Sequence, residues 1–289
     1  MAEATRKRGP GAALRRLWNH LSPPSPREIK LNNDTGLLKI IACLAMLSDH
    51  MGKMIFPGAW RPVFTGELAR MLATTNIMRM VGRLAFPLFA YCVAVGVLKT
   101  RNVWKYALRL LLLGILVHPL YQEAMGHVKL GAFDWAENFW RLDRIFSYYY
   151  TANLNIFFSL TLGVLITGSA REKRYALLPV WVAAAWILRG RLDYGYKGVA
   201  LITLFYAFLD RPLASILSVG LYMLWWPSPS LFDSFTLRAT TQIYALAALP
   251  LIYIPIKKRR VILPKWFFYG FYPAHLLLIL LLLIIGVKI

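Results

Sequence analysis

Apolar residues come in blocks along this chain, at approximately 37–56, 80–98, 106–121, 153–169, 175–189, 196–209, 213–226, 239–256 and 266–287. Runs of that length and apolarity read as membrane-crossing helices, so the pattern predicts an all-α bundle of about nine transmembrane spans. Several blocks fall short of the roughly 20 residues that a perpendicular helix needs to cross hydrocarbon. Their ends must therefore borrow flanking polar residues, tilt, or lie against protein.

Charge between the blocks orients the bundle. Lys and Arg collect on cytoplasmic loops, and with the amino terminus inside, the inner segments hold 18 of them against 11 outside. The inner set includes Lys99, Arg101 and Lys105, then Arg171, Lys173 and Arg174, and finally the run Lys257 to Arg260. A long outer segment, about 122–152, carries Trp135, Phe139, Trp140 and three consecutive tyrosines between charges, and reads as an interfacial helix or lid. Turning it into a tenth span would put Arg171 to Arg174 and Lys257 to Arg260 outside, against the charge rule. Residues 1–36 form a basic, Pro-containing cytoplasmic tail, and residues 37–289 the transmembrane domain. Pro23, Pro24 and Pro26 forbid one continuous helix in the tail.

Composition agrees with a multi-pass protein of the cytoplasmic membrane. Hydrophobic letters make up 58% of the 289 residues, charged letters 16%, and mean hydropathy is +0.51. Nine spans leave only short loops, too little for a separate soluble catalytic domain. Lys+Arg 34 against Asp+Glu 13 gives a net charge of +21, read here as topology and attraction to anionic lipid rather than nucleic-acid binding. Cys43 and Cys92 lie in apolar runs and are expected as buried thiols. No cleavable signal peptide is evident: the basic start is long and the first apolar run too far in.

Ionisable groups inside spans are costly in lipid, so each marks a functional candidate. Lys39 and His50, eleven residues apart in the first span, share a helix face roughly 16 Å apart along the axis. Asp49 points away from that face, either toward a neighbouring helix or indirectly toward the imidazole. Lys53 lies one turn beyond His50. Arg83 enters the second span at the depth of His50, suited to hold Asp49 or an oxyanion, or else to snorkel to the headgroups. Pro87 frees a backbone carbonyl one turn inward. Asn155, Ser159 and Thr161 on the fourth span fit interhelical hydrogen bonding. Asp193 and Tyr194 lead into the sixth span, and Tyr272 and His275 share a face of the last by i, i+3 spacing. No phosphate-binding loop, dinucleotide fingerprint, H-E-x-x-H, G-x-S-x-G or C-x-x-C occurs, which disfavours ATP hydrolysis, zinc proteolysis and serine hydrolysis.

Several of these residues fall in a pattern that resembles the TraX family, named for an integral membrane N-acetylase of conjugative pilin. The likeness runs from about Leu37 to Leu283. It is carried by Leu38-Lys39 followed ten residues later by His50, by Gly82-Arg83-Leu84-Ala85-Phe86-Pro87-Leu88-Phe89-Ala90 with Gly96, and by Lys99-Thr100-Arg101. Asn155 with Leu160, Asp193-Tyr194-Gly195 with Gly198-Val199, and Phe271-Tyr272-Pro273 with His275 complete it. More distantly the chain is similar to the acyltransferase-3 and heparan glucosaminide N-acetyltransferase group, whose basic residue, ten-residue gap and His fall on Lys39 and His50.

The resemblance implies an acetyl-CoA-dependent acyltransferase domain over 37–289, with acetyl-CoA as donor and an intramembrane His as base. On that expectation His50 is the base, aided by Asp49, and Arg83 orients Asp49 or stabilises the oxyanion. Lys39, Lys53, Lys99 and Arg101 meet the donor, while Asn155, Asp193, Tyr194, Tyr272 and His275 receive the acceptor. The acceptor is an extracytoplasmic amine or hydroxyl, such as a pilin or other exported peptide terminus or a surface glycan. Two other classes compete. A proton-coupled transporter built on the same ionisable residues predicts inverted internal symmetry, which the sequence lacks. A non-catalytic assembly partner predicts tolerance to losing them all.

Overall fold

The computed structural model describes residues 31, 34–56, 77–127, 134–138, 140–226, 241–256 and 264–286. The expected basic tail, apart from residues 31 and 34–36, and the basic run 257–260 lie outside them. The described chain is all-helical. In order it forms α1 (Thr35–Met54), α2 (Ile77–Gly82), α3 (Ala85–Lys99), α4 (Val103–Ala124), α5 (Trp135–Asn138) and α6 (Leu142–Thr151). Then follow α7 (Ile156–Arg171), α8 (Leu178–Ile187), α9 (Gly195–Ala207), α10 (Pro212–Trp225), α11 (Ala248–Tyr253) and α12 (Lys265–Ile284). Short 3₁₀ turns, Tyr175–Leu177 and Thr241–Ala247, lead into α8 and α11.

Every apolar block of the sequence holds a helix, but the lengths differ from those expected. Among the described residues, three segments are long and apolar enough to cross a membrane, Ile77–Lys99, Val103–Ala124 and Trp266–Ile284. Ile156–Arg171, Tyr175–Ile187, Pro212–Trp225 and Gln242–Tyr253 are apolar but shorter. The outer segment contributes α5 and the amphipathic α6, whose Tyr149 hydroxyl donates to the Ile115 carbonyl of α4 at 2.7 Å.

Local chemistry sets the helix ends. Asp34 accepts from the Gly36 N–H at 3.2 Å, Asn102 from Lys105 at 2.8 Å and Asn155 from Phe157 at 3.1 Å, each satisfying an otherwise unpaired donor of the first turn. The block 80–98, expected as one helix, breaks at Arg83–Leu84. Pro87 explains the break. In a continuous helix its ring would press on the Arg83 carbonyl and leave it unpaired, whereas restarting at Ala85 puts Pro87 in a first turn, where its missing N–H costs nothing.

Packing sorts the helices into inner and outer members. α3 is apolar all round and buries every residue except Phe89, Gly96 and Lys99, as expected of a central helix. α1, α7, α9 and α11 pack against it. α4, α10 and α12 are two-faced: Leu108, Leu112 and Leu116 on α4 and Leu213, Leu217 and Leu221 on α10 form exposed apolar stripes at i, i+4, i+8. Stripes of that kind suit lipid contact, and the protein is accordingly a membrane protein. Cys43 and Cys92 are buried free thiols.

Candidate functional site

Two sites lie along α1, one at each end. At the His50 end, Asp49 turns away from the imidazole and binds the guanidinium of Arg83, with the Arg79 Nε at 3.5 Å. Arg83 reaches it because the break after α2 frees the residue from the helix surface, and its Nε donates to the Arg79 carbonyl at 3.3 Å. Asp49 and Arg83 are both largely buried. Removing Asp49 would strand the buried Arg83 charge, a loss of about 3–5 kcal/mol. Gly82 makes this approach possible: a Cβ there would collide with the Asp49 Cβ and lie 2.7 Å from its Cα. α1 and α2 are therefore locked at one distance and one register.

The partner of His50 is His275, 225 residues away, with Nδ1 of the first and Nε2 of the second 2.9 Å apart. The tautomers follow from the next bond along. His275 Nδ1 lies 3.0 Å from the Phe271 carbonyl, which only accepts, so that nitrogen carries the hydrogen. In the neutral ring its Nε2 then accepts, and His50 must donate from Nδ1. His50 Nε2 is left with an open lone pair and has no hydrogen-bond partner among the described residues. A carbonyl, an orienting imidazole and a second imidazole with a free basic nitrogen make a relay suited to general-base chemistry. Rings hold it in place: Phe271 stacks on His275 at 5.4 Å and Tyr272 meets it edge-on at 5.2 Å.

His50 lines a recess of about 20 Å³ with Asp49, Asp193, Tyr194 and Tyr272. The loop that brings Asp193 there is tied to the segment before α7, and that segment in turn to α4. The Leu154 N–H donates to the Arg191 carbonyl at 2.7 Å, and Gln122 of α4 donates its amide to the Asn153 carbonyl. Gly195 then takes a φ of +56°, the left-handed conformation that favours glycine, as α9 begins. Tyr194 stacks on Phe86 with centroids 3.9 Å apart. Asp193 lies in the connection between α8 and α9, outside the helical spans. The residue is exposed, yet its carboxyl is crowded by protein, and the crowding governs its protonation. Burial, reinforced by Asp49, raises it from 3.8 to about 6, against the pull of Arg83, Lys53 and a Tyr121 hydrogen bond.

At the other end of α1 a cavity of about 600 Å³ opens between α1, α3, α4, α7 and α12. Its polar lining includes the cations Lys39, Lys99 and Arg109, the carboxylate of Asp34, and Thr35, Thr100, Tyr106 and Tyr269. Lys39 lies over the Phe268 ring at 5.3 Å. The three residues that α3 leaves unburied, Phe89, Gly96 and Lys99, all face this cavity. Met46, Phe89, Ile156 and Tyr272 line both spaces, so a single layer of side chains separates the wide cavity from the recess.

The remaining expected site residues fall elsewhere. Lys53 lies at the His50 end, among Arg79, Asp193 and Asp49, about four helical turns from Lys39. Arg101 is exposed and does not line the cavity, although its neighbours Lys99 and Thr100 do. Asn155 is fully buried and committed, donating to the Gly114 carbonyl at 2.8 Å while capping α7. Thr161 is bonded within α7, to the Phe157 carbonyl at 2.7 Å. Arg79 and Arg109 were missed by the sequence reading. The signal for Arg109 was present, since it is a cation inside the apolar run 106–121.

A family model described as TraX protein matches residues 34–284. A relative from Dichelobacter nodosus, named probable fimbrial assembly protein FimC, serogroup H1, is 24% identical over 262 residues, covering 84% of this chain and 92% of that protein. No solved structure matches.

Proposed function

The chain belongs to the TraX family, and from that premise we propose that it is a transmembrane acetyltransferase that takes the acetyl group of acetyl-CoA bound in the Lys39 cavity. The acceptor is an amine or hydroxyl arriving at the His50 end. The protein has about nine spans with the amino terminus in the cytoplasm, so the Lys39 end faces the cytoplasmic donor and the His50 end the extracytoplasmic acceptor. The excess of cations in the inner segments supports that orientation. The short helix α7 is compatible with it, because it is buried along most of its length and its ends meet protein rather than lipid.

The observation that carries the reading is the pair of spaces on α1. A relay that leaves one basic imidazole nitrogen open sits a single side-chain layer away from a cavity of cofactor size with cations in its wall. Ligand cavities typically run from about 300 to 1,000 Å³. Lys39, Lys99 and Arg109 bind the phosphates of CoA, and the pantetheine arm runs toward the shared wall. The acceptor nitrogen or oxygen attacks the thioester carbonyl while His50 Nε2 takes its proton. When the tetrahedral intermediate collapses, the carbon–sulfur bond breaks and CoA leaves as the thiol with that proton. Asp193 steers an incoming amine toward His50. Arg83 holds Asp49 and so keeps α2 against α1.

The relative's printed name, fimbrial assembly, favours a pilin-like exported subunit as acceptor. The same name favours a second reading, an assembly factor without catalysis, which predicts that His50→Ala leaves pilus or envelope assembly intact. Mass spectrometry of envelope peptides and glycans from cells with and without the protein separates the two. The acetyltransferase reading expects an acetylated species that disappears with the protein and with His50→Ala. Identical acetylation in all three strains would refute it.

A further inference from the structure

We infer that the wall shared by the two spaces, Met46, Phe89, Ile156 and Tyr272, is a length gauge that admits only the shortest acyl groups to His50. The inference rests on the acyltransferase reading and adds to it the residues that set donor specificity.

Volumes define the limit. On the donor side about 600 Å³ is available, too much to discriminate one acyl chain from another. Beyond the wall about 20 Å³ remains, close to the roughly 10–15 Å³ needed to seat one water-sized centre. A nucleophile activated by His50 reaches the thioester carbonyl only if that carbon arrives at the wall. The CoA sulfur then stays on the wide side and the rest of the acyl group goes ahead of it. A methyl fits the recess, and each further methylene must displace wall side chains.

The wall is built to hold its dimensions. Met46 stands one turn before His50 on α1, and Tyr272 one turn before His275 on α12, so gauge and relay ride on the same two helices. Tyr272 is 3% exposed and meets Phe157 edge-on at 4.7 Å. Ile156 is the first residue of α7, directly after the Asn155 cap. Phe89 projects from α3, the most enclosed helix. Met46 is the single unbranched, adaptable member, and shortening it opens the recess toward the cavity.

The test uses membrane vesicles from cells carrying the full-length protein, with vesicles lacking it as the blank. Radiolabelled acetyl-, propionyl- and butyryl-CoA are supplied, and label entering endogenous envelope material is counted. The wild type should use acetyl-CoA in preference to each longer donor by about tenfold or more per methylene. Met46→Ala and Ile156→Ala should raise the butyryl-to-acetyl ratio at least about tenfold; Ile156→Val serves where the larger change lowers abundance. A wild type that uses all three donors equally overturns the gauge, as does an unchanged ratio in variants of normal abundance. Label no higher than the blank with any donor overturns the acyltransferase reading instead.

Discussion

Around His50 the chain packs polar and aromatic groups until about 20 Å³ is left, whereas around Lys39, roughly 16 Å away on the same helix, it leaves about 600 Å³ open. The tight end is made by partners distant in sequence: His275, Arg83 and Asp193 converge on it, and Gly82 lets two helices approach closely enough to trap an ion pair. Fixed geometry there suits proton transfer, where small misplacement is costly. The wide end is made of cations and small or aromatic residues, which suits a large anionic ligand whose contacts are many and individually modest. One helix thus joins a part that needs precision to a part that needs room.

The comparison breaks if substitutions at the two ends behave alike. At the tight end, His50→Ala should lower transfer about 10²–10⁴-fold, the usual share of a general base, with donor affinity unchanged. His275→Ala should cost about 10–100-fold, as expected for a group that orients another. Assays with labelled donor and a parallel binding isotherm check both. Next in size, Asp49→Ala should destabilise the protein by about 3–5 kcal/mol through the stranded Arg83 guanidinium, read as a lower thermal midpoint in detergent. At the wide end, Lys39→Ala and Arg109→Ala should each raise the donor KM about five- to tenfold while kcat stays level, the signature of lost uniform binding.

The smallest effect comes from Asp193. Its carboxyl binds a proton more tightly in the folded chain, at about 6, than at its ordinary 3.8. Between these values the folded state holds more protons than the unfolded one, so stability falls as pH rises from about 4 to about 6 and is level above. Thermal midpoints across that window should show the decline, and Asp193→Asn should flatten it. A profile unchanged by the substitution would contradict the assignment.

Most residues of the tight end were legible in the sequence, as were Lys39 and Lys99 at the wide end, whereas the contacts that join them were not. Helical arithmetic on Lys39 and His50 gave two positions on one face of α1, and each now lines one of the two spaces. The apolar blocks located the helices because lipid-facing and core positions both demand apolar letters. They did not reveal the break at Arg83, which depends on how Pro87 is accommodated, nor how many helices are long enough to cross a bilayer. Charge alone assigned Lys53 and Arg101 to the donor, but charge carries no information about which space a side chain faces. The His50–His275 bond joins the first and last helices of the described chain, and no local spacing encodes it.

A structure of the protein with a non-reactive thioether analogue of acetyl-CoA tests the central claim most directly. The account predicts CoA phosphates against Lys39, Lys99 and Arg109, and the acetyl carbonyl at the wall of Met46 and Tyr272, facing His50 Nε2. An analogue bound outside this cavity, or bound within it with its acetyl group turned away from His50, would contradict the account.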